Sequence, residues 1–388
     1  MSNIFSPSST QLEVFAVCAP GLEPCLFHEL SCLFRLQSLC AQVGGVTIRG
    51  SLKDLFTANL WSRLATRFLL RVGAVFALHF PAFRRKAAAL PWTQFASGPV
   101  QLRISATTHH CRLHHTGALG ERLKLAIADA GVLATDDAQA PTLHVFVRGQ
   151  DDQFLFSIDT SGERLHKRGY RLEDGAAPVR ETLAPGLLML AGFDDGQAFC
   201  DPMCGSGTLA IEAALLALRR APGLSRRFPF FDWPVFPLPV WEGVMAKAKA
   251  AICPLALPIF ASDRDPQAVA LARRNAERAA VDQHIVFQTA PVDLLNLPAV
   301  ARGLILCNPP YGRRLTERRL SWTYRAVGQL AHRSRGFRLA VFTPQARLAA
   351  AAGCHHRLGT IHHGGLHVGL FVPPSDEKES LTLRTTFR

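Results

Sequence analysis

No two of the ten cysteines stand in a Cys-x-x-Cys pair; they are scattered at positions 18, 25, 32, 40, 111, 200, 204, 253, 307 and 354. Zinc-ribbon spacing is therefore absent, and dispersed thiols suit the reduced state of a cytoplasm. No run approaches the ~20 uninterrupted apolar residues of a membrane span. The best stretch, Phe68 to Phe80, is short and is broken by Arg71. The N-terminus lacks a basic start, an apolar run and a small-residue cleavage site, so no signal peptide is expected. There is no internal repeat and no long low-complexity segment. Acid is scarce: 30 Asp and Glu face 43 Lys and Arg, giving a formal net charge of +13. That excess favours a polyanionic partner, nucleic acid or an anionic membrane surface, although some basic proteins have none.

What is present is globular. Hydrophobic residues make up 48% of the chain and charged residues 19%, which excludes a disordered protein. A length of 388 residues suits two or three domains.

Leu12 to Cys18 is a short apolar strand, ended by Pro20-Gly21. Leu22, Leu26, Leu30 and Leu33 fall at helical spacing. Ser51, with Asp54 three residues on, predicts a helix start. The run from Leu69 to Leu78 predicts a strand. Pro81 to Pro99, with the basic run Arg84-Arg85-Lys86, is expected to be a connector. A strand at 100–106, a helix at 120–130 and paired strands at 142–148 and 153–159 complete an α+β half. Leu165-His166-Lys167-Arg168-Gly169-Tyr170-Arg171 reads as a basic linker. From Gln197 onward, strand and helix alternate as in a doubly wound α/β sheet, closed by a hairpin around Gly364-Gly365.

Two stretches stand out in that second half. Asp201-Pro202-Met203-Cys204-Gly205-Ser206-Gly207-Thr208 reads as a strand end entering a tight turn and then a helix. Asn308-Pro309-Pro310-Tyr311-Gly312 reads as a second strand end, stiffened by two prolines. A Gly-x-Gly turn alone also fits a dinucleotide fold, but the third glycine of that fingerprint is missing.

With these two motifs the chain resembles the RNA guanine-N2 methyltransferases that carry a THUMP domain, and most of all the 23S rRNA guanine-N2 family. Three further segments carry the likeness: Arg112-Leu113-His114-His115-Thr116-Gly117, the basic run from Leu165 to Arg171, and Ala221-Pro222-Gly223-Leu224 with Phe230 and Trp233. The resemblance spans about residue 40 to the end. It implies a Rossmann-like class I methyltransferase sheet preceded by α+β ferredoxin-like and THUMP domains. The expected divisions are 11–60 ferredoxin-like, 61–162 THUMP, 163–179 linker and 180–388 methyltransferase. It also implies S-adenosylmethionine as donor and a guanine exocyclic amine in 23S rRNA as acceptor; a cytoplasmic location is expected from the dispersed thiols, and no obligate protein partner is evident.

The residue types suit that chemistry. Glycines at 205 and 207 let the backbone pass close to a ligand, and amides at a helix start suit a carboxylate. Asp201 can attract the donor's ammonium. Asp263 can accept both ribose hydroxyls, while Asp265 can simply cap the helix begun by Pro266. Asp293 is a candidate for the adenine amine, with a plain surface role equally open. By resemblance Thr182, Pro202, Cys204 and Thr208 join the donor site. An exocyclic base amine is a weak nucleophile; acceptors from the Asn308 amide and the Pro309 carbonyl favour its attacking geometry. Tyr311 can stack on an extruded base. Arg112, His114, Lys167, Arg168, Arg171, Arg313 and Arg314 are candidate RNA contacts. No metal site is expected from the histidines between 109 and 115. Cys204 and Cys307 read as packing residues. Alternatives are a tRNA guanine, adenine-N6 methylation, or an RNA-binding protein without catalysis.

Overall fold

The alternation of short apolar runs with turn residues resolves into two seven-stranded sheets in the computed structural model, which describes residues 11–34, 38–96, 98–172, 179–311 and 316–374. The first contains β1 (Leu12–Val17), β2 (Leu39–Gln42), β3 (Gly45–Gly50), β4 (Arg67–Phe76), β5 (Gln101–His109), β6 (Thr142–Gln150) and β7 (Gln153–Asp159), in the order β2-β3-β1-β4-β7-β6-β5. With α1 (Glu23–Leu33) and α2 (Leu52–Trp61), its first four strands make a β-α-β-β-α-β ferredoxin-like unit. A capping box starts α2: the Asp54 amide donates to Ser51 Oγ, and the Ser51 amide donates to the Asp54 carboxylate.

β4 belongs to two neighbourhoods at once. Arg67 to Leu70 pair with β1, while Leu69 to Phe76 pair with β7 on the opposite edge. The expected division at residue 60 therefore falls just ahead of a strand shared by the ferredoxin-like unit and the following α+β unit. That second unit adds α3 (Phe80–Ala88) and α4 (Thr116–Asp129). The segment expected as a connector is thus largely helical. Phe83 and Ala87 are buried beneath α3, and its Arg84 donates to both carboxylate oxygens of Asp129 at 2.7 and 2.8 Å.

The second sheet contains β8 (Ala198–Asp201), β9 (Ile259–Asp263), β10 (Ile285–Thr289), β11 (Gly303–Cys307), β12 (Phe337–Thr343), β13 (His356–His363) and β14 (Leu366–Val372). Their order is β10-β9-β8-β11-β12-β14-β13; β8 to β12 run parallel and β14 runs antiparallel to both neighbours. The helices are α5 (Leu183–Leu190), α6 (Thr208–Ala217), α7 (Leu238–Ala250), α8 (Pro266–Arg278), α9 (Glu317–Arg333) and α10 (Ala346–Ala351). All ten residues of α6 are buried, as its largely apolar sequence requires, with Glu212 the one charge among them.

The aromatic insertion after α6 joins the halves. Phe56 of α2 meets Phe230 at 4.6 Å and Trp241 of α7 at 5.9 Å, and Phe95 meets Trp233 at 5.2 Å. Charged groups are buried in the same junction. Arg63 donates to the carbonyls of Leu215 (3.0 Å) and Arg220 (2.8 Å) at the end of α6.

Arg168 corrects a sequence expectation. It does not face solvent as an RNA contact would: its side chain is 3% exposed. It donates to Glu212 of α6 (3.1 Å) and to the carbonyls of Leu165, Arg63 and Glu181. Tyr170 donates to the same Glu212 oxygen at 3.0 Å. A buried carboxylate requires such partners, and the basic run supplies them. Arg171 also turns inward, donating to the Val179 carbonyl at 3.1 Å beside Glu181. Lys167 is exposed and paired with Glu163. Among the described residues no helix is long and apolar enough to cross a membrane.

Candidate active site

Strand order reverses between β8 and β11, and both strands end at one open cavity of about 1200 Å³. In open α/β sheets the loops diverge at such a point and leave room for a ligand. From β8 come Asp201, Pro202, Cys204 and Gly205; Thr208 begins α6 on the same wall. The turn is held by the Cys204 amide donating to Ser262 (2.8 Å) and the Gly207 amide donating to Cys204 (2.7 Å).

The two glycines serve different ends. A side chain at Gly205 would meet nothing within 4 Å, so its backbone borders open space. Gly207 has φ +83°, and a Cβ there would stand 2.9 Å from Cβ of Ala272 on α8. Gly207 is therefore a packing contact between the turn and α8, and it does not line the cavity. Thr182 is likewise away from the cavity wall: it is buried at the start of α5, while nearby Val179 reaches the cavity.

Asp263 lines the cavity, yet its carboxylate also fixes the loop. One oxygen accepts from the Gly205 amide and the other from the Asp265 amide, both at 3.0 Å. Asp265 caps α8 by accepting from the Gln267 amide at 2.9 Å. Asp201 is buried and accepts from the Met203 amide at 3.2 Å. Burial pushes its carboxyl up to about 8; the Met203 amide opposes this and the Asp263 charge adds to it. Asp293 is exposed and lines the same cavity. Its loop is braced by Arg333 of α9, which donates to the carbonyls of Val292, Asp293 and Leu295, each at 2.9 Å.

β11 delivers Asn308, Pro309 and Tyr311 to the same cavity. The Asn308 Oδ1 is buried and has no hydrogen-bond partner among the described residues. Folded chains rarely leave such an acceptor unused, so a donor brought by a ligand would complete it. Tyr311 is half-buried, and burial raises its phenol. Burial likewise pushes the thiols of Cys200, Cys204 and Cys307 well up, so none is a ready nucleophile.

Arg112 and His114 are exposed at the β5–α4 connection, away from the cavity wall; the Arg112 amide donates to Asp152 at 2.6 Å. Arg313 and Arg314 lie outside the described residues. The nearby histidines form two ring pairs, His109–His110 and His114–His115. Among the described residues no group of three or more His, Cys, Asp or Glu could hold a metal ion. Sequence reasoning passed over Val179, Gln267, Arg274 and Trp322 on the cavity wall. Only Trp322 offered a signal, as an indole on the polar side of an amphipathic helix.

A parallel sheet in this order, with one antiparallel strand and a cleft at the switch point, defines a class I methyltransferase. The chain belongs to the RMKL-like methyltransferase family, whose domain model matches residues 168–369; the RlmL ferredoxin-like domain model matches residues 13–69. A Synechocystis protein provisionally named an RNA methyltransferase is 32% identical over 92% of this chain and 96% of its own length. The ribosomal RNA large subunit methyltransferase K/L of Syntrophotalea carbinolica is 34% identical over 92% of this chain and 53% of its own length. The chain thus spans about half the length of the large subunit methyltransferases it matches. The solved structure of SMU.472, provisionally named a methyltransferase and complexed with SAH, superposes with a TM-score of 0.85 at 25% identity, over 96% of this chain and 100% of that one.

Proposed function

We propose that this chain methylates the exocyclic N2 amine of a guanine in 23S rRNA, with S-adenosylmethionine as donor. The observation that carries this reading is the buried Oδ1 of Asn308, without a hydrogen-bond partner among the described residues, on the wall of the cavity that the glycine turn also lines. S-adenosylmethionine supplies a methyl group on a positively charged sulfur. Asp201 takes the donor's ammonium, the amides around Gly205 and Thr208 its carboxylate, Asp263 its ribose and Asp293 its adenine. The open space at Gly205 and the absence of a cationic side chain among the hydrogen-bond partners found for Asp201 fit that assignment.

Asn308 Oδ1 and the Pro309 carbonyl accept the two N–H groups of the base amine and turn its lone pair toward the methyl. Tyr311 stacks on the base. The N–CH₃ bond forms as the S–CH₃ bond breaks, and the surplus proton on nitrogen leaves to water. No strong base is needed, because a methylated, positively charged amine is acidic.

The substrate reading draws on the relatives' names, the net charge of +13 and the ferredoxin-like unit. Within it, residues 61–162 act as the RNA-binding THUMP unit, with Arg112, His114, Lys167, Arg313 and Arg314 toward phosphates. We place the activity in the cytoplasm, in keeping with ten free cysteines. The test is mass-spectrometric mapping of methylated bases in RNA from cells with and without the gene. One N2-methylguanine should vanish from 23S rRNA, and the Asn308→Ala enzyme should fail to restore it while still binding S-adenosylhomocysteine. Loss from a tRNA instead would overturn the substrate, and loss of N6-methyladenine would overturn the base.

A further inference from the structure

Helix α9 turns Leu320, Thr323, Tyr324, Val327 and Leu330 into the core. Trp322 is on the other side, 55% exposed, yet it lines the cavity that holds Asn308 and Tyr311. Trp92, Trp233 and Trp241 are buried and Trp61 is half-buried, so this indole is the most exposed of the five. One exposed aromatic decides nothing by itself. Its setting is more specific. Arg318 lies four residues before it and Arg325 three after, so all three share one helical face, and all are exposed. An aromatic plane between guanidiniums is what single-stranded nucleic acid requires: a surface for one base and cations for the phosphates either side. Protein partners of an exposed helix face would be expected to meet a broader apolar patch.

We propose that Trp322, Arg318 and Arg325 form a platform for an unpaired nucleotide of the substrate RNA next to the methylated one. The base stacks on the indole and the adjoining phosphates pair with the arginines. This deepens, and rests on, the reading of the cleft as an RNA methyltransferase site. It leaves Tyr311 to the target base and gives the neighbouring nucleotide its own support, so selection of the site includes an unstacked flanking position.

Intrinsic fluorescence of the full chain tests this without turnover. Titration with a short single-stranded RNA of mixed sequence should quench the emission, whereas the matching abasic strand should quench little. Trp322→Ala should abolish the quench and weaken RNA binding about ten- to a hundredfold. Trp322→Phe should retain most of the affinity, and S-adenosylhomocysteine affinity should change less than about twofold in either variant. RNA affinity unchanged in Trp322→Ala would overturn the platform. So would an equal loss of S-adenosylhomocysteine affinity, which would put the indole in the donor wall. Binding through Trp322 by a chain that methylates a tRNA in place of 23S rRNA would overturn the substrate proposed above and leave the platform standing.

Discussion

Asp201 shows how one side chain couples the cleft to pH. Its carboxyl titrates near 8 when folded and near 4 when unfolded. Between those values the folded chain holds one more proton than the unfolded chain. Stability from this group is therefore full below about pH 4 and falls as pH rises toward 8, by on the order of a few kcal/mol. Asp201→Asn removes that loss. Melting curves of the ligand-free protein should show the variant more stable than wild type at pH 7.5, with the gap closing near pH 4. Donor binding should respond in the opposite sense, because an ammonium favours the carboxylate. Affinity for S-adenosylhomocysteine in wild type should climb from pH 6 to 7.5, and calorimetry should find that climb absent in the variant. Asn308, Gly205 and Asp263 were legible because short motifs fix them at strand ends. Arg168 was not: a charge in a sequence carries no mark of burial, and its partner Glu212 lies 44 residues away.

At the scale of elements, the glycine turn is a wedge between β8 and α8 as much as a wall of the cavity. Gly207→Ala would require a left-handed conformation costing about 1–2 kcal/mol and force a carbon against Ala272. Urea denaturation should show a total loss of about 2–5 kcal/mol. Ala272→Gly alone should cost about 1 kcal/mol inside α8, and the double-mutant cycle should report the packing share as a favourable coupling between the two changes. If the Gly207→Ala variant were as stable as wild type, the packing role would be wrong. The strands of the second sheet, with α5, α6, α8 and α9, were readable because each carries its own apolar run and turn. Helix α3 was missed because flanking prolines and a basic run disguise two buried positions, Phe83 and Ala87. Helix α7 was missed inside a proline-rich insertion for a related reason. Its buried face, Trp241, Val244 and Ala248, meets a distant helix that no local pattern announces.

For the molecule as a whole, Arg168 ties the halves together. One guanidinium reaches the Arg63 carbonyl in the ferredoxin-like unit, the Glu181 carbonyl ahead of α5, and Glu212 in the helix that follows the glycine turn. Arg168→Met would leave Glu212 buried without its cation, which typically costs about 3–5 kcal/mol. The melting temperature should fall sharply, and adding Glu212→Gln should restore part of it. Were stability unchanged and only RNA affinity reduced, the residue would be a surface contact after all. Pairing of this kind is non-local and invisible to periodicity, as is the fusion of two predicted units into one sheet.

That fusion has a consequence in time. On the ribosome, β4 is complete once Phe76 has emerged, and β1 is already available to pair with one of its edges. The partner of the other edge, β7, ends at Asp159. At common elongation rates of roughly 5–20 residues per second, that edge waits several seconds for its neighbour. An unpaired strand is an invitation to pair with another chain. The nascent protein thus passes through an interval in which the ferredoxin-like unit exposes along β4 an edge that the finished sheet covers. Pauses in translation between these two strands would lengthen that interval, and chaperones that shield strand edges would matter most there.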